Sequence, residues 1–249
     1  RVGDLQINEG DFISIDGTSG EVFAGQNDVE PSTVVKYLTD GIIDATQDRD
    51  EGTQDLIRSV DRLLRHADRR RKLKIRANAD TENDAAVARK FGAEGIGLCR
   101  TEHMFLGDRR VLIEHVILAK TPEQREAALA ELLPLQRRDF TDILAQMDGF
   151  TTTIRLLDPP LHEFLPDLAE LKVKSALALE RGEVDQKLEE LLHAVEKMHE
   201  SNPMLGLRGV RLGLVSPGLY ELQVRAIAEA MADRISLGAN PKVEVMIPL

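Results

Sequence analysis

Cysteine occurs once in the 249 residues, at Cys99, and tryptophan does not occur at all. A single cysteine excludes a disulfide framework and any cysteine-cluster metal site, and it fits a reducing, cytoplasmic compartment. Aromatic residues make up only 4% of the chain, too few for base-stacking platforms. Positive charge is also short. The 32 Lys and Arg stand against 43 Asp and Glu, a net charge of −11 that argues against nucleic-acid binding. No apolar run approaches the roughly 18 residues that span a bilayer, and no basic amphipathic stretch suggests a membrane surface. The chain opens Arg1-Val2-Gly3-Asp4, without an initiator methionine or a signal peptide, and ends on the strand-like run Lys242 to Leu249. Both ends read as cut, so the expectation is an internal fragment of a longer protein.

The first 27 residues read as β. Phe12-Ile13-Ser14-Ile15 is a short apolar strand between the turn signals Gly10-Asp11 and Asp16-Gly17, and Glu21-Val22-Phe23-Ala24 follows Gly20. Residues 12–24 therefore predict a hairpin, which alone is marginal in water, so most of its domain is expected upstream. Residues 28–71 change character. Leu56, Val60, Leu63, Leu64 and Ala67 recur at helical spacing, with Pro31 near a helix start, and the segment reads as a helical linker. Its basic run, Arg62, Arg65 and Arg69 to Arg71, reads as a solvated helix end.

From residue 72 strands and helices alternate. Strands are expected at Leu73–Ala77, Gly95–Cys99, Thr151–Leu156, Gly209–Leu212 and Val243–Ile247. Thr81 offers an N-cap, and Gly92 ends the helix that Ala85, Ala86, Ala88 and Phe91 line. Thr121-Pro122-Glu123-Gln124 starts a longer helix that Pro134 is expected to kink or split. Val184, Leu188, Leu191, Val195 and Met198 mark an amphipathic helix, and another runs from Leu222 to Met231. Such alternation implies parallel strands with right-handed crossovers. An open doubly wound sheet and a (β/α)8 TIM barrel both fit. No Gly-x-Gly-x-x-Gly follows the first strand, which counts against a dinucleotide fold, and Gly92 to Gly97 precedes and enters a strand rather than joining strand to helix. The 178 residues from 72 onward are fewer than the roughly 250 of a whole barrel, so a partial barrel is expected.

Three arginines stand out by position. Arg100 follows the second strand, Arg155 lies near the C-terminal end of the third, and Arg208 immediately precedes the fourth. In a barrel, groups at strand C-terminal ends converge on the ligand, and arginine matches phosphate and carboxylate with a planar fork of donors. On spacing alone, a surface ion pair for each, worth little, is the commoner reading. Arg208 fits least well, since it enters its strand rather than leaving it. Asp158 could orient Arg155, face the ligand or cap its loop. His103 could be a base or a supporting group, although a lone His is more often structural. Cys99 reads as a buried small hydrophobe, and His162 and Glu163 do not match metal-ligand spacing.

The run Gly95-Ile96-Gly97-Leu98-Cys99-Arg100-Thr101-Glu102-His103-Met104-Phe105 resembles the signature of the pyruvate, phosphate dikinase family. Ile75-Arg76-Ala77-Asn78-Ala79-Asp80-Thr81, Ile154-Arg155-Leu156-Leu157-Asp158-Pro159-Pro160-Leu161-His162-Glu163-Phe164 and Asn202-Pro203-Met204-Leu205-Gly206-Leu207-Arg208-Gly209 resemble it in the same order. Gly10 to Gly17 is similar to the end of that family's phosphohistidine domain. Phosphoenolpyruvate synthase and enzyme I of the sugar phosphotransferase system share the barrel, but the Asp-Pro-Pro-Leu-His-Glu-Phe wording and a helical insert at about 165–200 are the dikinase version. A non-catalytic binding module is the remaining alternative.

That resemblance implies an enzyme interconverting pyruvate, ATP and phosphate with phosphoenolpyruvate, AMP and diphosphate through a phosphohistidine on a swivelling domain. It implies that Arg100 and Arg155 bind the phosphoryl group, that Arg208 helps at the same pocket, and that Asp158 assists. It divides the chain into the end of the phosphohistidine domain (1–27), a linker (28–71) and the first part of the phosphoenolpyruvate-binding barrel (72–249). The phosphohistidine loop is expected before Arg1, and the Mg²⁺ ligands and the protonating cysteine after Leu249, with a homodimer as the full-length enzyme. The fragment alone is expected to be inactive.

Overall fold

The computed structural model describes residues 6–17, 19–29, 32–47, 49–158, 161–182, 185–198 and 206–249. The expectations that fall on Pro31, Val184 and the run Asn202 to Leu205 lie outside these residues, as do Pro159 and Pro160. The chain divides into two compact units, Arg1–Arg70 and Arg71–Leu249.

In the first unit, β1 (Ile13–Ile15) and β2 (Val22–Ala24) pair antiparallel with Ser14 opposite Phe23. Asp16 and Gly20 close the turn, where Gly20 N–H donates to the Asp16 carbonyl at 2.8 Å. Ser14 ties the open end, donating to the Gly25 carbonyl and accepting from Asn27 N–H, both at 2.9 Å. Helices α1 (Thr33–Asp40), α2 (Ile42–Thr46) and α3 (Glu51–Arg70) follow. The helical spacing read from Leu56 to Ala67 falls within α3. Leu56, Leu63 and Leu64 are exposed, and Ile57 is buried where α1 and α2 contact the helix. Tyr37 donates to Asp61 at 2.8 Å across that contact. The basic residues Arg69 and Arg70 sit in the last turn of α3, where they oppose the helix dipole.

The second unit is an α/β fold on a parallel sheet. Its strands and helices run β3 (Ala77–Asn78), α4 (Glu82–Lys90), β4 (Gly95–Arg100), α5 (Arg110–Leu118), α6 (Pro122–Gln146), β5 (Thr151–Arg155), α7 (Leu168–Glu180), α8 (Gln186–Met198), α9 (Val210–Val215), α10 (Leu219–Ser236) and β6 (Lys242–Met246). The sheet order is β3-β4-β5-β6, all parallel, and the four strands form an open sheet. Each strand therefore lies beside the next in sequence, as successive right-handed crossovers require.

Two expectations are corrected, and the split at Pro134 does not occur. The first strand is only Ala77–Asn78, because Leu73 and Ile75 are exposed at the sheet edge and only the Ile75 carbonyl reaches the neighbour, accepting from Glu94 N–H at 2.8 Å. Helix α6 passes through Pro134 without splitting; Pro134 is exposed, and the helix is held by Leu132, Phe140, Ile143 and Leu144, all buried. Gly209–Leu212 forms no strand. Gly209 stands at the head of α9 with φ +60°, and the next strand after β5 in the sheet is β6.

The helix starts follow the expected chemistry. Thr81 accepts from Asp84 N–H at 3.1 Å, and Thr121 accepts from Gln124 N–H at 3.3 Å ahead of Pro122. Gly92, at φ +91°, closes α4 in a conformation that a side chain would resist. One core forms where Ile96, Cys99 and Ile154 pack with Phe140, Ile143 and Leu144 of α6 and Ala226, Ile227 and Ala230 of α10. A second gathers Phe105, Ile113, Leu132, Phe164, Leu171, Val195, Leu212 and Leu219, which seats α7 and α8 beside the C-terminal end of the sheet. Arg137 clamps α6 to α10 through Asp233, at 2.6 and 2.7 Å, and Glu229 at 3.2 Å.

Candidate active site

Arg100 and Arg155 are register partners at the C-terminal ends of β4 and β5. In-register neighbours on parallel strands send their side chains to the same face, so the two guanidinium groups share one mouth. Arg208 lies in the loop that enters α9. It does not begin a strand, which removes the objection to its position: its guanidinium reaches Asp158 through Nη2 at 2.8 Å and Nε at 3.3 Å.

Each arginine is held by a carboxylate. Asp80, just after β3, accepts from Arg100 at three atoms: backbone N at 2.6 Å, Nη2 at 2.6 Å and Nε at 2.9 Å. His103 Nδ1 stands 2.8 Å from the same carboxylate. Burial pushes the Asp80 carboxyl up, but the Arg100 hydrogen bonds and the charges of Arg100 and His103 outweigh it and hold it below the usual carboxylate range. The Asp80 hydrogen bond in turn raises Arg100. Arg155 lies between two carboxylates. Its Nη2 donates to Glu102, which reaches over from the 3₁₀ turn after β4, and its Nη1 stands 3.2 Å from Asp158. Asp158 thus bridges Arg155 and Arg208.

The backbone around Asp158 is fixed from several sides. Leu157 N–H donates to Gln223 Oε1 at 2.9 Å, and Tyr220 donates to the Leu157 carbonyl at 2.6 Å. Burial of Tyr220 pushes its hydroxyl up to about 12. Gly209 N–H donates to the Asp158 carbonyl at 3.0 Å, and Val210 N–H to the Pro248 carbonyl at 2.7 Å. A Cβ on Gly209 would lie 2.8 Å from that carbonyl oxygen, so only glycine lets Arg208 approach here.

The site retains unspent capacity. Glu102 Oε2 and Arg155 Nε are buried and have no hydrogen-bond partner. Buried polar atoms rarely stay unpaired, and a ligand or water is the ordinary remedy. Of the other sequence candidates, Cys99 is buried in the core and desolvation pushes its thiol up to about 12, which excludes a thiolate nucleophile. His103 has its partner, Asp80, and both line an adjoining cleft of about 410 Å³ with Arg109, Asp139 and Met104. Arg100, Arg155 and Arg208 lie outside that lining. Burial raises the Asp139 carboxyl there despite its Arg109 partner.

Among the described residues no three His, Cys, Asp or Glu side chains gather as a metal ion requires. Asp80, Glu102 and Asp158 direct oxygens at arginines instead. These residues do not fit Mg²⁺. Residue-level reasoning assigned no role to Asp80, Glu102, Tyr220, Gln223 or Gly209. The available signal was position: Asp80 and Glu102 each lie within two residues of a strand's C-terminal end.

Residues 54–249 match the family model described as PEP-utilising enzyme, PEP-binding domain. The whole chain is similar to pyruvate, phosphate dikinase of Giardia intestinalis (47% identity over 249 residues, 25% of that protein). It is also similar to the chloroplastic pyruvate, phosphate dikinase 1 of Arabidopsis thaliana (46% over 249 residues, 23%) and pyruvate, phosphate dikinase 2 of Zea mays (43% over 251 residues, 26%). The chain spans about a quarter of the length of these curated relatives.

Proposed function

The chain belongs to the PEP-utilising enzymes, through their PEP-binding domain, and from that premise we propose that Arg100, Arg155 and Arg208 hold the phosphoryl and carboxylate groups of phosphoenolpyruvate. The whole protein, in this reading, is a pyruvate, phosphate dikinase. It converts ATP, pyruvate and phosphate to AMP, phosphoenolpyruvate and diphosphate, with a phosphohistidine as carrier. The names of relatives covered from end to end of this chain support that activity. The sheet β3-β4-β5-β6 is proposed as the first part of a (β/α)8 barrel, whose ligand face lies at strand C-terminal ends.

One observation carries the reading: two register-partnered arginines at that end of the sheet, braced by buried carboxylates, with an Arg155 Nε still unpaired. Phosphoryl transfer asks little covalent chemistry of the protein beyond positioning and charge stabilisation. Planar forks supply both, because they grip phosphate oxygens bidentately and stay charged when desolvated. Asp158 sets the distance between the Arg155 and Arg208 forks by binding both.

The charge balance shapes the rest. Three arginines face three carboxylates, so the cluster itself is neutral and a phosphate-bearing ligand brings uncompensated negative charge. In this reading the Mg²⁺ ligands, the protonating acid and the phosphohistidine come from residues outside this chain, and Mg²⁺ would supply that compensation. A homodimer in a reducing, cytoplasmic compartment is the proposed setting. No helix among the described residues is long and apolar enough to cross a membrane.

The test compares the two half-reactions in the protein that carries this chain. Arg155→Lys should severely reduce phosphoenolpyruvate turnover and spare exchange between ATP and AMP. Equal loss of both would contradict the reading. The 249-residue chain alone should form no phosphoenolpyruvate with or without Mg²⁺, and turnover by it would reassign the chemistry to groups taken here as structural.

A further inference from the structure

We propose that Asp80 is a positioning residue: it sets the guanidinium of Arg100 so that the Nη1 edge is presented to the ligand's phosphoryl group. The proposal rests on the anion-site reading above. Asp80 is 7% exposed, whereas the Arg100 side chain is 38% exposed. A long, half-exposed arginine has many rotamers, and something must select one. Asp80 does so at both ends of the residue. One oxygen takes the backbone N–H of Arg100 at 2.6 Å, where the ladder of β4 runs out. The other takes Nε at 2.9 Å and Nη2 at 2.6 Å. The Nε–Nη2 edge is thereby occupied, and the opposite edge remains for an anion.

Asp80 is itself well placed to act as the fixed point. It directly precedes Thr81, the N-cap of α4, and Ala79 N–H donates to the Leu98 carbonyl at 3.2 Å. His103 supports the carboxylate from the other flank, with Nδ1 at 2.8 Å. The segment Arg100–His103 therefore ties three strands: Arg100 and His103 to the residue after β3, and Glu102 to Arg155 on β5.

Charge and position predict opposite results here, which makes the proposal sharp. Removing the Asp80 charge leaves the cluster one unit more positive. If Asp80 merely neutralised the site, Asp80→Asn would tighten anion binding. If it positions Arg100, Asp80→Asn weakens binding despite the added positive charge, because an amide offers one acceptor oxygen where the carboxylate uses two.

The experiment titrates phosphoenolpyruvate into the full chain by calorimetry, with wild type, Asp80→Asn, Arg100→Ala and the double variant, each checked for folding by its melting transition. The expected result is about ten-fold weaker binding in Asp80→Asn, with no further loss when Arg100 is already alanine. Asp80→Glu provides a second route: it keeps the charge but moves the oxygens, and is also expected to weaken binding. Unchanged or tighter binding in Asp80→Asn and Asp80→Glu would overturn the proposal, as would an equal loss in the Arg100→Ala background. Wild-type affinity in Arg100→Ala would instead overturn the anion-site reading beneath it.

Discussion

Two arginine–carboxylate clusters lie along the parallel sheet. The first joins Arg76, immediately before β3, to Thr153 on β5 and Glu244 on β6. Arg76 gives Glu244 a two-pronged contact at 2.6 and 3.2 Å, and Thr153 completes it at 2.9 Å. The second, one step further along the strands, is the set of Arg100, Arg155 and Arg208 with Asp80, Glu102 and Asp158. The residue types match but the surroundings do not. Arg76 and Glu244 are 37% and 53% exposed, whereas Arg155 and Glu102 are 20% and 14% exposed. The first cluster leaves no buried polar atom unpaired. The second leaves Glu102 Oε2 and Arg155 Nε without partners, where desolvation makes an unmet hydrogen bond costly. Arg100, at 38% exposed, is as open as Arg76, so exposure separates the clusters at the Arg155–Glu102 pair. A fully paired cluster reads as a strut between strands, and one that keeps a buried donor and a buried acceptor unpaired reads as a binding site.

The sharpest way to break this contrast is Arg155→Lys. A lysine keeps the charge but cannot serve Glu102, Asp158 and a ligand with one fork, so phosphoenolpyruvate turnover should fall by about 10²–10³-fold in steady-state kinetics. A fall of less than about ten-fold would mean that charge alone suffices there. Gly209→Ala comes next. Its φ of +60° and the 2.8 Å approach to the Pro248 carbonyl leave no room for a methyl group. Backbone strain of this kind costs about 1–3 kcal/mol, so a denaturation curve should show that loss, and Arg208 should lose its hold on Asp158 with it.

Acid stability probes the second cluster more gently. The folded Asp80 carboxyl sits below its unfolded value of about 3.9, so the unfolded chain binds the proton more readily. The stability this contributes is present above the unfolded value and disappears as pH falls through the lower folded one. Melting temperatures of the wild type should therefore drop more steeply below pH 4 than those of Asp80→Asn, and parallel curves would contradict the pairing. The smallest effect is expected from Glu244→Gln. That exposed strut should cost little stability and leave phosphoenolpyruvate affinity within two-fold by calorimetry.

Much of this arrangement was legible in the residues. The hairpin followed from turn signals flanking Ile13–Ile15, the helix starts from Thr81 and Thr121, and the parallel α/β order from the alternation after residue 72. Arg100 and Arg155 were visible as strand-end arginines. Gly209–Leu212 misled, because a glycine before Val210 and Leu212 suits a strand and a helix start equally, and Leu212 turns out to be buried among α5, α6 and α10 rather than in the sheet. Leu56, Leu63 and Leu64 kept helical spacing without finding cover, since periodicity tells which residues share a face and not what packs on it. Asp158 was legible as a partner of Arg155 three positions away, and the structure pairs them at 3.2 Å. The other carboxylate pairings were hidden for a different reason: Asp80 meets Arg100 across 20 positions, Glu102 meets Arg155 across 53, and Asp158 meets Arg208 across 50, separations that no local pattern reports.

The most direct test observes the arginines themselves. The Nε–Hε signals of Arg76, Arg100 and Arg155, assigned by substitution, would be followed by NMR as phosphoenolpyruvate is added to the chain. Binding is expected to be weak, because the three arginines already face three carboxylates and the phosphate brings uncompensated negative charge. Arg100 and Arg155 should shift together along one saturating curve, while Arg76 stays in place. Movement of Arg76 alongside them, or stillness at Arg100 and Arg155 at saturating ligand, would contradict the distinction between strut and site.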